Sequence, residues 1–332
     1  MKNLRFLAMS LLISVGGAAQ ASFEMMMFVD GNRIVRYDPE NRIQLGSFGA
    51  GELGTYTGAQ IAADPTNHGV VAALNGDGTI RRFNAFTGRY LGALSVGVNP
   101  FYGNGPMRFE VLNNGNFLIA GYIGGGTEQV SRIYSGTTGA QLVDMSPFGA
   151  AYWALDSVQG SDGNIYTLNR INNAGTYSFY TFCYTSSGGY LGANGLGSSS
   201  DASRFRAIGR SGNRILITGN FQYAAVSHAN GVFQTLTYVS WSTWSNPGVT
   251  GDIVWAHSRN YLHEVRDNGG GSFTNRVNHY DPITNYLGQG AIDLPYTTSL
   301  GSMTIITAPE PGTMAALGLG LVALLRRRRT KA

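Results

Sequence analysis

The sequence predicts an all-β fold: a six-bladed β-propeller closed by a C-terminal strand that completes the first blade. An N-terminal signal peptide and a C-terminal hydrophobic helix are expected to flank it. Three observations carry this expectation. Glycine is abundant at 47 residues and charged residues are scarce at 13%, beside plentiful Tyr, Phe, Val, Ile and Thr, a balance that suits short strands and tight turns better than helices. A phrase of strand, turn and strand recurs along the chain. The first repeat is one strand short, and the last has one to spare.

The phrase is clearest as Ile34-Val35-Arg36-Tyr37-Asp38-Pro39-Glu40-Asn41-Arg42-Ile43-Gln44-Leu45-Gly46 and as Ile80-Arg81-Arg82-Phe83-Asn84-Ala85-Phe86-Thr87-Gly88-Arg89-Tyr90-Leu91-Gly92. Looser copies start at Tyr134, Cys183 and Tyr280, and a degenerate one lies around Val226 to Phe233. The period, roughly 49 residues, is too long for leucine-rich repeats and suits one four-stranded propeller blade. Alternating side chains place Ile80 and Arg82 on one face of a strand, Arg81 and Phe83 on the other. Asp/Asn-x-x-Thr-Gly then turns the chain, and Tyr-Leu-Gly begins the outer strand.

Upstream of the copies lie further strand pairs: Gln60 to Asp64 with Val70 to Leu74, Arg108 to Leu112 with Phe117 to Gly121, and Trp153 to Ser157 with Asn164 to Asn169. Asn75-Gly76-Asp77-Gly78, Asn113-Asn114-Gly115, Ser161-Asp162-Gly163 and Ser211-Gly212 supply hairpin-type turns. The first unit has three strands, Met25 to Val29, Arg33 to Asp38 and Ile43 to Phe48, whereas Ser302 to Thr307 is surplus to the last. Placing that surplus strand innermost in the first blade closes a ring and removes exposed sheet edges. Strands ending in Arg-Tyr/Phe-Asp before Thr-Gly and Leu-Gly resemble those of secreted bacterial propellers of the NHL and gluconolactonase-like group, a likeness that bears on fold more than on function.

The two ends read as addresses. Lys2 and Arg5, the apolar run Phe6 to Val15, and Ala19-Gln20-Ala21 form a secretory signal with cleavage expected after Ala21. At the other end Pro309-Glu310-Pro311 precedes an apolar span, Gly312 to Leu325, and then Arg326, Arg327, Arg328 and Arg329. The span is short for a permanent membrane helix, and the arginines are expected to stay cytoplasmic, with everything upstream outside. This order of elements resembles the PEP-CTERM sorting signal of Gram-negative bacteria. The resemblance implies a hydrophobic sorting helix, recognition at Pro309, Glu310 and Pro311, a membrane stop at Arg326 to Arg329, and processing by an exosortase after signal peptidase has acted. It also implies an exopolysaccharide or biofilm setting. The expected divisions are therefore 1–21, 22–307 and 308–332.

Seven of the 23 basic residues and one of the 19 acidic residues lie in these ends, which leaves the propeller 16 basic against 18 acidic and a net charge near −2. The basic balance of the whole chain thus belongs to its addresses, and no nucleic-acid partner is expected. The single cysteine, Cys183, excludes an intrachain disulfide and reads as a buried apolar side chain. Met25, Met26 and Met27 are adjacent on one strand and point to alternating faces, which does not suit a metal site. Trp153 and Trp255 suit core packing of inner strands, whereas Trp241 and Trp244 suit a loop.

Channel candidates are Asp64, Asp156 and Asp252, each in or beside an inner strand, with His257 and His263 as a possible facing pair. Carboxylates there serve glycoside cleavage or sugar binding, or they hold turn amides, the reading favoured here. No catalytic residue, metal site or cofactor is assigned, and the metal-holding Glu, Asn and Asp set of gluconolactonase-like enzymes has no matching motif. The sequence favours a non-catalytic binding or scaffold module at the cell surface, facing polysaccharide or an envelope protein and crossing the inner membrane only transiently through its tail. The alternative is an extracellular glycan- or lactone-acting hydrolase or lyase working at the propeller channel.

Overall fold

Strand follows strand from Ser22 to Pro309 in this computed structural model. The structure describes residues 22–309 apart from 55–58, 98–107, 124–127, 146–151, 202–204, 212–213, 220–221, 230–231, 241–248, 257–258, 282–285, 288–291 and 299. The expected signal peptide, 1–21, and the tail from Glu310 onward, with its expected helix, lie outside the described residues. Among the described residues no helix is long and apolar enough to cross a membrane.

The first sheet contains β1 (Ser22–Asp30), β2 (Arg33–Asp38) and β3 (Ile43–Phe48). The next is β4 (Gln60–Ala63), β5 (Val70–Leu74), β6 (Thr79–Asn84) and β7 (Tyr90–Ser95). The third is β8 (Arg108–Val111), β9 (Phe117–Ile123), β10 (Glu128–Tyr134) and β11 (Gln141–Asp144). The fourth has the longest strands: β12 (Tyr152–Gln159), β13 (Ile165–Asn173), β14 (Thr176–Tyr184) and β15 (Tyr190–Ser199). The fifth is β16 (Ala207–Ser211), β17 (Arg214–Thr218), β18 (Gln222–Ala229) and β19 (Val232–Ser240). The sixth is β20 (Val249–Ala256), β21 (Arg259–Gly269), β22 (Ser272–Asp281), β23 (Tyr286–Leu287) and β24 (Ile292–Leu294).

The last strand, β25 (Met303–Pro309), returns to the first sheet, whose order is β25-β1-β2-β3. It pairs antiparallel with β1 from Phe28 opposite Met303 to Ser22 opposite Pro309. The surplus C-terminal strand therefore lies where the strand count placed it. It also runs two residues past the expected end of the propeller at 307, to the first proline of the tail motif.

Five four-stranded blades stand among the described residues, which corrects the expectation of six. Five sheets are four-stranded blades; the remaining sheet is five-stranded, with β24 pairing β22 beside β23. On its outer edge β23 pairs with Tyr280 and Asp281 and β24 with Asn275 to Val277; residues 288–291 between them lie outside the described residues.

Cores form between neighbouring sheets, so each strand needs two apolar faces. Met25 and Met27 pack with Ile61, Val71 and Phe83 of the second sheet. Met26 and Phe28, between and beside them, pack with Tyr261, Val277 and Ile292 of the sixth. Similar clusters join the second sheet to the third, the third to the fourth, and the fourth to the fifth, where Cys183 is fully buried. Contacts between first strands run in a circle: β25 to β4, β4 to β8, β8 to β12, β12 to β16, β16 to β20, and β20 to β25.

The repeated phrase has one geometry. An irregularity in pairing falls just before the anchor residue, between Arg36 and Tyr37, Arg82 and Phe83, Ile133 and Tyr134, and Cys183 and Tyr184. The fourth anchor is thus Tyr184, one residue beyond Cys183, because the turn after it is one residue shorter. The residue following the anchor ties the turn with its side-chain oxygen. Asp38 accepts from the amides of Glu40 and Asn41, Asn84 from Phe86 and Thr87, and Ser135 from Thr137 and Thr138.

Candidate functional site

The innermost strands β4, β8, β12, β16, β20 and β25 enclose a cavity of about 270 Å³ on the propeller axis. Six strands meeting edge to edge leave backbone N–H groups facing inward, and buried donors need acceptors. Side chains of neighbouring strands supply several of them. Ser302 Oγ accepts from the Ile61 amide at 3.2 Å, and Thr304 Oγ1 from the Ala63 amide at 3.0 Å. Glu110 Oε2 accepts from the Gln159 amide at 2.8 Å, and Asp156 Oδ2 from the Ile208 amide at 2.9 Å. The other Asp156 oxygen accepts from the Ser157 amide at 2.7 Å.

These acceptors share the cavity wall with two cations, Arg108 on β8 and Arg210 on β16. Arg108 Nε lies 3.7 Å from Asp156 Oδ2, an electrostatic pairing longer than a hydrogen bond. Glu110 keeps some solvent contact because it faces the cavity, yet the mass of three sheets surrounds it. Burial is the main reason its carboxyl is pushed up to about 8; the Gln159 amide and Arg210 oppose the shift, and Asp156 adds to it. The wall therefore holds two guanidinium groups, the Asp156 carboxyl with both oxygens on amides, and at Glu110 an acid that keeps its proton near neutral pH. Among the described residues, no group of three or more His, Cys, Asp and Glu side chains is placed to hold a metal ion.

Of the residues singled out from sequence, Asp156 alone is placed by its described side chain in this cluster. Asp64 follows β4 and ties its own turn, accepting from the Thr66 amide and hydroxyl at 2.9 and 2.6 Å. Asp252 lies on β20, within the pairing irregularity between Thr250 and Ile253. His257 lies outside the described residues. His263 sits on the second strand of its sheet, fully buried, with its ring edge-on to Phe28 at 5.3 Å between centroids. It is a core residue between the sixth and first sheets and does not line the cavity. Trp153 is half-buried, and its ring carries the Arg170 guanidinium at 4.7 Å. Pro309 closes the β1–β25 ladder, and Glu310, Pro311 and Arg326 to Arg329 lie outside the described residues.

Sequence reading missed Arg108, Glu110 and Arg210. A signal existed in Arg108-Phe109-Glu110-Val111, a short strand with charge at every second residue. In a chain so poor in charge, two such residues on a strand next to the axis stand out. Arg210 had no comparable pattern, since Ile208-Gly209-Arg210 resembles any strand end.

Fold and ends together define an exported β-propeller with a sorting tail. Residues 307–329 match the family model described as the PEP-CTERM protein-sorting motif. That motif directs export and transient membrane anchoring, followed by exosortase processing and release to the cell surface or the extracellular space. Among curated proteins, none matches this sequence. In fold the chain is similar to a Bacteroides caccae protein of unknown function, with 11% identity, a TM-score of 0.52, and 85% of this chain and 98% of that one covered. It is also similar to the β-propeller domain of Cps50 (Swd1) from Myceliophteria thermophila, with 8% identity, a TM-score of 0.51, and 82% and 83% covered. At such identities the likeness concerns the fold alone.

Proposed function

We propose that this protein is a surface or matrix binding module. After the tail is processed, the propeller holds a ligand at its axial cavity in an exopolysaccharide or biofilm setting. The five-stranded sheet is read as a sixth blade. The observation that carries the proposal is the convergence of Arg108 and Glu110, Asp156, and Arg210 from three different sheets on one cavity. Its volume sits just below the roughly 300–1,000 Å³ of common ligand sites, which suits one sugar unit or a molecule of that size.

A hydrolase or lyase is the second reading, and one feature favours it. A neutral Glu110 beside an ionised Asp156 is the kind of split that assigns an acid and a base. Asp156, however, spends both oxygens on backbone amides and faces Arg108, so it is poorly disposed to activate water.

The test compares the full chain with a version ending at Pro309 on exopolysaccharide isolated from the producing strain. Retention of both supports a propeller-borne binding module, and passage of both through the matrix overturns it. Release of reducing ends or ring-opened acid, abolished by Glu110→Gln, replaces it with the enzymatic reading.

A further inference from the structure

We infer that the axial cavity is a carboxylate-binding site, in which Arg210 and Arg108 hold the anionic group of a small acid or of an acidic sugar unit. This rests on the reading of the propeller as a binding module and names the chemistry of its ligand. Asp156 is committed to two amides, and its charge is balanced by Arg108. Glu110 gives one oxygen to the Gln159 amide, so its proton resides on the other. Gln159 is likewise engaged: its side chain accepts from the Asn113 amide at 2.8 Å and donates to the Gly163 carbonyl at 3.0 Å.

Arg210 is different. Its Nε is buried and has no hydrogen-bond partner, although the side chain lines the cavity. A guanidinium in such a place is a donor fork awaiting an acceptor, and carboxylate is the group whose two oxygens fit that fork. The charge balance points the same way. Among the described residues two arginines face the Asp156 carboxyl and the raised acid of Glu110, which leaves positive charge in excess inside a partly enclosed space where electrostatic interactions are stronger than in water. A neutral sugar leaves that excess in place, and one carboxylate cancels it. Among the described residues the remaining walls add no opposing charge: Gln60 comes from β4, Ser302 and Thr304 from the β25 side, and Val254 from β20.

The dependence on pH follows from the groups facing Glu110, namely Asp156, Arg108 and Arg210. While Glu110 is neutral the excess charge stands; once it ionises, the cavity is balanced without a ligand. Affinity for a carboxylate is therefore steady on the acid side and falls as pH rises through about 8.

The experiment is calorimetric titration of the full chain in detergent with glucuronate, acetate and glucose. Binding of glucuronate or acetate on the order of tenfold tighter than glucose is expected, falling by about the same factor between roughly pH 6.5 and 9.5. Equal affinities for acetate and glucuronate identify free small acids as the ligand class, and a preference for glucuronate identifies acidic sugars. Arg210→Gln is expected to lose at least about tenfold in affinity. Glu110→Gln is expected to abolish the decline of affinity in alkali, a readout that survives if the arginine variant fails to fold. Glucose binding as tightly as glucuronate, or neither acid binding, overturns the inference. Matrix retention without acid binding sinks this inference alone and leaves the binding-module reading in place.

Discussion

Arg42 occupies a position built for glycine. It ends the turn that Asp38 ties, where the second and third copies of the phrase place Gly88 and Gly139, and all three have positive φ: 58°, 73° and 73°. A side chain in that region clashes with its own backbone, a cost of roughly 1–2 kcal/mol. Arg42→Gly is expected to raise stability by about 0.5–1 kcal/mol, because the unfolded glycine also gains freedom. The converse, Gly88→Ala, adds a Cβ within 2.7 Å of Phe48 at a strained φ and is expected to destabilise the chain. Urea denaturation of both variants checks the pair, and destabilisation by Arg42→Gly would contradict it. The residue type alone hid this. Pro39-Glu40-Asn41-Arg42 does not look like Ala85-Phe86-Thr87-Gly88 until the Asp38 and Asn84 side chains are seen tying the same two amides.

Arginines in the phrase join one blade to the next. Arg36 donates to the carbonyls of Ala85 and Phe86, Arg82 donates to the carbonyl of Gly136 at 2.7 Å, and each guanidinium also covers a ring, Phe48 or Phe117. Inner strands are tied differently, through side-chain acceptors on neighbouring amides, and Glu110 is one of those ties. Its folded pKa lies above the ordinary 4.5, so its contribution to stability is full below that value and is lost as pH climbs through about 8. Glu264, buried and pushed up to about 7, acts with the same sign. The melting temperature is expected to fall as pH rises across this range, with Glu110→Gln flattening part of the fall. A melting temperature that rises with pH over the same interval would refute the assignment.

Closure of the whole molecule depends on β25. Its Ile306 is buried between the first and second sheets with Val71 and Phe83, and Ile305 packs on the opposite side with Met26 and Phe28. A charge at Ile306 meets no partner there, and the strand that joins the two chain ends is lost with it. Ile306→Asp is expected to cost about 3 kcal/mol or more, whereas Leu142→Asp on the exposed outer strand β11 costs within about 0.5 kcal/mol. Chemical denaturation distinguishes them, and similar midpoints would show that the ring does not need its closing strand. The same strand ends at Pro309, so the tail motif begins where the sheet stops, opposite Ser22, the residue expected to begin the exported chain.

Local chemistry determined most of the architecture. Strand limits such as Arg33–Asp38, Ile43–Phe48 and Val70–Leu74 follow from alternation and turn residues, and the closing strand follows from a count of what each repeat lacks. The address at the C-terminal end was equally legible, because charge and apolar length act without tertiary partners. The core place of His263 depends on neighbours far along the chain. So does the cavity. Arg108 and Arg210 lie about 100 residues apart in sequence, and only the ring of inner strands, which leaves amides to be capped and charges to be balanced around one axis, gives them a common ligand.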